Sequence, residues 1–225
     1  MTDPSPLPTR RIGILIFDGF EPLDVWGFVQ AFTVARFLGK TYSDPGPHPF
    51  EVCFIAKEVR AVRSSNGPQA LPDQDFVWAM QEKFDVLMVP GGAGTRPLLH
   101  DQEVLDFLQF MDPRVDIMAS VCTGAALLAK AGLLDGLPAA TNHASFAWVA
   151  SLGPRVLWDN VSRWVDAGHY VTSAGVSAGI DMAFHLVSRL AGRAVAEVAA
   201  QESEYDWHRD PLEPIHYLRQ ARVRR

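Results

Sequence analysis

Cysteine is scarce in this sequence: only Cys53 and Cys122 occur among 225 residues. Two cysteines are too few for a disulfide framework, which favours a protein of a reducing compartment. Long apolar runs are also absent, since no stretch reaches the roughly 20 residues that a membrane-spanning helix needs. Residues 1–10 contain three prolines and no apolar segment of the kind found in signal peptides. The sequence therefore predicts a cytoplasmic protein without a membrane partner.

Basic charge is in short supply as well. The chain has 20 lysines and arginines against 26 aspartates and glutamates, a net charge of −6. Basic residues cluster only in residues 219–225, so nucleic acid is not predicted as a partner. The seven histidines form no pair at metal-ligand spacing, and neither a metal nor another cofactor is predicted.

Apolar runs alternate with amphipathic segments along the chain. Buried strands are predicted at residues 11–17, 50–56, 84–89 and 115–121, and helices at residues 23–38, 101–111, 179–190 and 194–205. This alternation predicts an α/β fold with a mostly parallel sheet and helices on both faces. We predict that residues 1–10 are a disordered lead-in, residues 11–207 a single domain, and residues 208–225 a C-terminal tail.

Cys122 lies where the predicted strand 115–121 meets a helix-like segment. Thr123 and Gly124 are small enough for a sharp turn, which predicts a nucleophile elbow that presents the cysteine above the end of the sheet. The unpaired amides of a helix N-terminus would favour a thiolate there. The alternative is that Cys122 is a small buried apolar residue, as free cysteines often are. Cys53 lies inside a predicted strand and is most simply a core residue.

A nucleophilic thiolate needs an acid or base within reach, and two residues could provide one. Asp24 stands in the first turn of the predicted helix 23–38 among apolar neighbours. A buried carboxyl there would have a raised pKa and could hold or pass a proton, whereas an exposed one would only favour the helix dipole. His143 is a possible base, or alternatively a structural hydrogen-bonding residue.

Other nucleotide-binding or hydrolytic sites are less favoured by the sequence. Glycines follow the predicted strand 84–89 and would allow a ligand to approach the backbone closely. They lack the Gly-Lys-Ser/Thr of a phosphate loop and the third glycine of a dinucleotide-binding fingerprint. A serine hydrolase is not excluded, although neither Ser120 nor Ser177 lies in a recognisable elbow.

Six sequence blocks occur in an order that resembles the ThiJ/PfpI superfamily. They are residues 17–27, 64–67, 90–92, 120–124, 141–143 and 175–181. The resemblance covers about residues 11–207 and is greatest to the branch of isonitrile (isocyanide) hydratases and sensor domains of AraC-type regulators. It implies a flavodoxin-like three-layer sandwich, the class I glutamine amidotransferase-like fold, with a cysteine nucleophile elbow. It also implies a small-molecule substrate and a homodimer.

The resemblance assigns roles to matching positions of this chain. It implies that Cys122 is the nucleophile and Asp24 the neighbouring acid. Thr123 would support the site through its hydroxyl and backbone N–H, and Gly92 would supply a second N–H to an oxyanion-like pocket. Secondary site candidates are His143 and Val176. Protease-like members have histidine directly after the cysteine, and Thr123 at that position argues against peptidase activity.

Two departures from the usual pattern are expected to change the pocket wall. Relatives usually read Thr-Thr-His-Trp where this chain has Thr141, Asn142, His143 and Ala144. They also often have a small residue and proline around the position of Trp26. Both changes are expected to affect which substrate is accepted.

The function that the resemblance implies is that of a cofactor-independent lyase. An isonitrile hydratase adds water to an isocyanide and forms an N-substituted formamide. The alternatives are a non-catalytic or stress-responsive small-molecule sensor, and a glyoxalase- or amidase-like hydrolase. The regulator interpretation requires a detached sensor domain, because no helix-turn-helix segment follows residue 207.

Overall fold

The structure, a computed structural model, describes residues 8–215. Its strands are β1 (Arg10–Leu15), β2 (Phe50–Ala56), β3 (Val62–Arg63), β4 (Gln69–Ala70), β5 (Gln74–Asp75), β6 (Val86–Val89), β7 (Ile117–Ser120), β8 (Pro138–Ala140), β9 (Leu157–Asp159), β10 (Trp164–Ala167) and β11 (Tyr170–Ser173). Its α-helices are α1 (Pro22–Val34), α2 (Phe76–Ala79), α3 (Thr95–Leu98), α4 (Gln102–Met111), α5 (Ala125–Lys130), α6 (Phe146–Leu152), α7 (Ala178–Ala191) and α8 (Arg193–Glu202). Short 3-10 turns occur at Asp112–Arg114, Cys122–Gly124 and His143–Ser145.

Seven strands form one sheet, in the order β10-β11-β7-β6-β1-β2-β5. Strands β10 and β11 pair antiparallel, and the other neighbours in this sheet pair parallel. Helices α1, α7 and α8 contact one another in one layer, while α4, α5 and α6 form the other. The predicted flavodoxin-like α/β sandwich is confirmed. None of the helices between residues 8 and 215 is long and apolar enough to cross a membrane.

The central strands are buried along their whole length. All four residues of β6 and all four of β7 are buried, as expected for parallel strands covered by helices on both faces. This burial explains why their sequences are unbroken apolar runs without alternation. Because β1, β6 and β7 are parallel, their carboxyl ends meet at one edge of the sheet, and the segments that follow them build the candidate site.

Helix α1 is shorter than the sequence predicts. The expected helix reached Leu38, but α1 ends at Val34 because Ala35 adopts an extended conformation. A side chain satisfies one of the last carbonyls, because Arg36 Nη1 donates to Thr33 O at 2.8 Å, and the Thr33 hydroxyl donates to Val29 O at 3.0 Å. Leu38 is 64% exposed, so no burial rewards another helical turn. The predicted boundary at Leu38 is wrong for this reason.

Both ends of the described chain contact the domain. Arg10, predicted to close the lead-in, is the first residue of β1. His208 and Pro211, predicted to lie in the tail, hold hydrogen bonds: the His208 amide donates to Asp181 Oδ1 at 3.1 Å, and Pro211 O accepts from the Arg163 amide at 2.7 Å. The other parts of the predicted lead-in and tail, residues 1–7 and 216–225, lie outside the described residues.

Candidate active site

Cys122 occupies a strained turn directly beyond β7. Its φ angle is +57°, in the left-handed region that costs a residue with a side chain roughly 1–2 kcal/mol. Three hydrogen bonds hold the backbone there. The Cys122 amide donates to Ala174 O at 3.2 Å, while its carbonyl accepts from Thr141 Oγ1 at 2.8 Å and from the Asn142 amide at 3.4 Å. This strand–turn–helix geometry matches the predicted elbow.

Asp24 lies beneath this turn and is 1% exposed. Its Oδ2 accepts the Gly91 amide at 2.8 Å, whereas its buried Oδ1 has no hydrogen-bond partner of normal geometry among residues 8–215. Burial raises the pKa of this carboxyl to about 7, against the lowering effect of the Gly91 amide and of the Cys122 thiol. The carboxylate of Glu21 raises the pKa further. Asp24 therefore does not cap its own helix, and its proton affinity suits exchange near neutral pH.

The Cys122 thiol is also harder to ionise than the sequence suggested. Burial raises its pKa to about 12, and the negative charge of Asp24 adds to that effect. Hydrogen bonds from the Thr123 amide and the Asn142 side chain lower the pKa, but by less than burial raises it. The expected help from a helix N-terminus is small because α5 begins only at Ala125 and has six residues. Cys122 and Asp24 therefore titrate as a coupled pair that loses its first proton near pH 7.

The close approach of the site residues depends on Gly91. A Cβ atom there would lie 2.6 Å from the Thr123 amide nitrogen, 2.7 Å from Thr123 Oγ1 and 2.9 Å from Asp24 Oδ2. No real Cβ atom sits so close to backbone atoms, so any larger residue must push the two site residues apart.

We expect Gly91→Ala to lower the free energy of unfolding by about 1–3 kcal/mol, through overpacking. It should also slow alkylation of Cys122 by iodoacetamide, measured by peptide mass mapping, because Asp24 is displaced from the thiol. Gly136→Ala is the matched control. Gly136 has a φ of +75° and no atom near its missing Cβ, so the control should cost stability without changing Cys122 alkylation. Equal alkylation rates for Gly91→Ala and the unsubstituted protein would contradict this role of Gly91.

The amide predicted to face an oxyanion is already engaged. Gly92 N–H donates to Thr123 Oγ1 at 3.0 Å, and Thr95 Oγ1 lies 3.3 Å from the same oxygen. The Thr123 hydroxyl thus connects Gly92, which follows β6, to the turn at Cys122. The Thr123 amide interacts with the Cys122 sulfur. Ala93 also lines the cleft, and its amide donates no hydrogen bond to any residue from 8 to 215. Of these two amides, that of Ala93 is therefore the unengaged one.

A cleft of about 190 Å³ opens beside the sulfur. It is lined by Glu21, Gly92, Ala93, Thr95, Arg96, Cys122, Thr123, Asn142, Ser145 and Trp148. A slightly larger cavity, of about 210 Å³, lies at the ends of β1 and β2 and contains neither Cys122 nor Asp24. Of these two cavities among residues 8–215, the smaller one is lined by Cys122, so size does not identify the site here. Within residues 8–215, no three His, Cys, Asp or Glu side chains gather as metal ligands would.

The secondary candidates do not line this cleft. His143 is half-buried, both its ring nitrogens lack hydrogen-bond partners among residues 8–215, and burial lowers its pKa. Val176 packs against the hydrophobic core. Trp26, expected on the pocket wall, is 45% exposed and lies edge-on to Phe54, at a centroid distance of 5.1 Å.

Asn142 is the main addition to the residues to which the sequence assigned a chemical role. Its side chain interacts with the Cys122 sulfur, and its Oδ1 accepts the Ser145 amide at 3.0 Å, which fixes the orientation of the amide group. The sequence held a signal for it, since position 142 departs from the usual pattern of the relatives. Arg96 and Trp148 carried no such signal, because neither belongs to one of the six resembling blocks.

Comparisons with known proteins agree with this fold. The model of the DJ-1/PfpI family matches residues 10–189. Isonitrile hydratase of Pseudomonas putida is 33% identical over 195 residues, which are 87% of this chain and 78% of that protein. The HTH-type transcriptional regulator GbdR of Pseudomonas aeruginosa is 30% identical over 90% of this chain, which spans only 54% of the regulator.

Solved structures share the same fold. A THiJ/PfpI family protein from Pseudomonas syringae superimposes with a TM-score of 0.78 at 26% identity, over 99% of this chain and 91% of that one. DJ-1beta of Drosophila melanogaster superimposes with a TM-score of 0.76 over 89% of this chain and all of its own. At 19% identity, that second likeness concerns the fold alone.

Proposed function

This chain belongs to the DJ-1/PfpI family, and on that premise we propose that it is a cofactor-independent hydratase that converts isocyanides to N-substituted formamides. The observation that carries the proposal is the pairing of Cys122, strained at the cleft, with a buried Asp24 whose pKa is raised to about 7. A nucleophile next to a proton carrier is what addition to an isocyanide carbon requires. The 33% identity to an isonitrile hydratase supports the same reaction.

The first half of the reaction joins sulfur to carbon. Once the pair has lost its first proton, Asp24 is a carboxylate and the remaining proton lies on the Cys122 thiol. The sulfur attacks the terminal carbon of R–N≡C as Asp24 takes the thiol proton and passes it to that carbon. The product is the thioimidate R–N=CH–S–Cys122, with Asp24 again a carboxylate. Ala93 lines the cleft, and we propose that its unengaged amide donates to negative charge that develops during the attack.

The second half releases the product. The Asp24 carboxylate takes a proton from water as the oxygen adds to the thioimidate carbon, and it passes that proton to the nitrogen. In the collapse of the adduct R–NH–CH(OH)–S–Cys122, the carbon–sulfur bond breaks as Asp24 moves the hydroxyl proton to the departing sulfur. The formamide R–NH–CHO leaves, and the pair returns to its starting state of a thiol and a carboxylate. Atoms balance as isocyanide plus water, and no oxidant or reductant is needed.

The test is an assay of the purified protein with several simple alkyl and aryl isocyanides. We expect formamide, detected by mass spectrometry, in large molar excess over protein, and only background with Cys122→Ala. No formamide above that background with any substrate would overturn the proposal. The regulator relative favours one alternative, a small-molecule sensor. A sensor would give at most one adduct per Cys122, which intact mass distinguishes from turnover.

The expected homodimer stays a prediction carried by the family resemblance. Light scattering coupled to size-exclusion chromatography would measure it directly. A mass equal to one chain would contradict it.

A further inference from the structure

A guanidinium group stands at the cleft without an acidic partner. Arg96 is exposed, and its Cζ lies 4.0 Å from the centroid of the Trp148 ring. Both residues line the cleft that contains Cys122. The Arg96 guanidinium makes neither an ion pair nor a hydrogen bond with any residue from 8 to 215. Its five donors are therefore available to a ligand.

Stacking on Trp148 holds this charge in place. A guanidinium within about 6 Å of a tryptophan ring is attracted by the negative face of the ring. The stack uses the flat face of Arg96 and leaves the edge, where the N–H groups point, free to bind. Because the side chain is already oriented, less conformational entropy is lost when a carboxylate binds through two parallel hydrogen bonds.

The other charged residue of the cleft is Glu21. It forms no ion pair with Arg96, and its carboxylate acts on the reacting pair, because it raises the pKa values of both Asp24 and Cys122. The cleft therefore has a negative side next to the reacting atoms and a positive side at Arg96. A ligand whose anionic group lies at Arg96 avoids Glu21 and leaves its other end at the sulfur.

We propose that the substrate of this cleft carries a carboxylate that Arg96 binds, with Trp148 as the platform that positions Arg96. The inference rests on the function proposed above and names its substrate class: a small isocyanide with a carboxylate, rather than a neutral one. The cleft volume of about 190 Å³ suits a molecule of that size.

Two alkylating agents that differ in charge test the carboxylate subsite without relying on turnover. Iodoacetate carries a carboxylate, iodoacetamide is neutral, and both alkylate Cys122. The quantity to measure is the ratio of their alkylation rates at Cys122, by peptide mass mapping. We expect Arg96→Met to lower the iodoacetate-to-iodoacetamide ratio about fivefold, the size of a partly exposed charge interaction. Arg96→Lys keeps the charge and should retain most of the ratio. Added salt should lower the ratio of the unsubstituted protein and of Arg96→Lys, but not that of Arg96→Met.

Arg114→Met is the matched control. Arg114 also stacks on an aromatic ring, with its Cζ 3.6 Å from the centroid of Phe110, but it precedes β7 and so lies at the opposite edge of the sheet from Cys122. Its loss should leave the rate ratio unchanged. An unchanged ratio in Arg96→Met, or an equal fall in Arg114→Met, would overturn the carboxylate subsite.

Steady-state kinetics then separate the substrate class from the reaction. With a carboxylate-bearing and a neutral alkyl isocyanide, Arg96→Met should raise KM for the first much more than for the second. Equal KM changes would refute the substrate class even if both isocyanides are hydrated. If neither is hydrated while the alkylation ratio behaves as expected, the hydratase fails and the carboxylate subsite stands.

Discussion

Asp24→Asn should lower isocyanide hydration by between about a hundredfold and ten-thousandfold, the usual contribution of a positioned proton donor. The amide has nearly the shape of the carboxyl and can still accept the Gly91 N–H, so the fold should persist. What disappears is the group that carries the thiol proton to the carbon and later takes a proton from water. We would measure kcat/KM across pH together with the rate of Cys122 alkylation.

The rate of Cys122 alkylation should depend on pH differently in the unsubstituted protein and in Asp24→Asn. In the unsubstituted protein, alkylation should rise through about pH 7, where Asp24 becomes a carboxylate that can take the proton of the Cys122 thiol. In Asp24→Asn that rise should vanish, because the thiol must ionise alone, and burial still holds its pKa above the ordinary value of 9.0. An alkylation profile that stays centred near pH 7 in Asp24→Asn would show that Asp24 is not the partner of Cys122.

The free energy of unfolding provides a second measurement, in which Asp24→Asn should gain relative to the unsubstituted protein although it loses activity. The native carboxyl keeps its proton up to about pH 7, whereas the unfolded chain releases it near 3.8. Between these values the native state binds more protons, so this carboxyl's stabilising contribution is lost as pH rises from about 4 to 7. Asp24→Asn lacks this loss, and its relative stability should increase over the same window. Asp24→Glu is the control: it keeps an acid but adds a methylene in a fully packed position, so it should lose both activity and stability.

Asp181→Asn should destabilise the protein by about 3–5 kcal/mol, the cost of leaving a buried charge without its partner. Asp181 is fully buried, and its Oδ2 accepts Arg163 Nε at 3.0 Å and Arg163 Nη2. Its Oδ1 accepts the Tyr205 hydroxyl at 2.9 Å and the His208 amide. Burial raises the pKa of Asp181 in spite of Arg163, which reflects how costly desolvation of this carboxyl is.

The effect should be measured by denaturant unfolding. Asp135→Asn is the matched control, because Asp135 Oδ2 accepts Nε and Nη2 of Arg155 in the same arrangement, but the Arg155 side chain is 77% exposed. Solvent screening should leave the control close to the unsubstituted protein. Similar unfolding midpoints for the two variants would contradict the importance of the buried pair.

The buried pair is also connected to the elbow. Arg163 O accepts the Ala174 amide at 2.7 Å, and Ala174 O accepts the Cys122 amide at 3.2 Å. Asp181→Asn should therefore slow Cys122 alkylation at a temperature where the variant is still folded, while Asp135→Asn should not.

The sequence by itself determined the layers of the fold and two members of the site. Apolar runs such as those of β6 and β7 predict buried parallel strands because burial on both faces leaves no place for polar residues. Small residues after Cys122 predict a turn, and an acid among apolar neighbours predicts that Asp24 could be buried. These are local patterns, and they hold wherever local preference and tertiary packing agree. At Leu38 they did not agree, since nothing packs there to extend α1.

Only the tertiary structure decided how the site works. Gly91 and Asp24 are 67 residues apart in sequence and 2.8 Å apart as donor and acceptor, which no local pattern encodes. The same packing engages the Gly92 amide with Thr123, brings Asn142 to the sulfur and stacks Arg96 on Trp148. It also reverses the expected ionisation of Cys122, because the pKa of a buried thiol follows the solvent and charges removed from around it. Periodicity along the chain reports which faces are apolar, but distance and burial arise only when segments remote in sequence pack together.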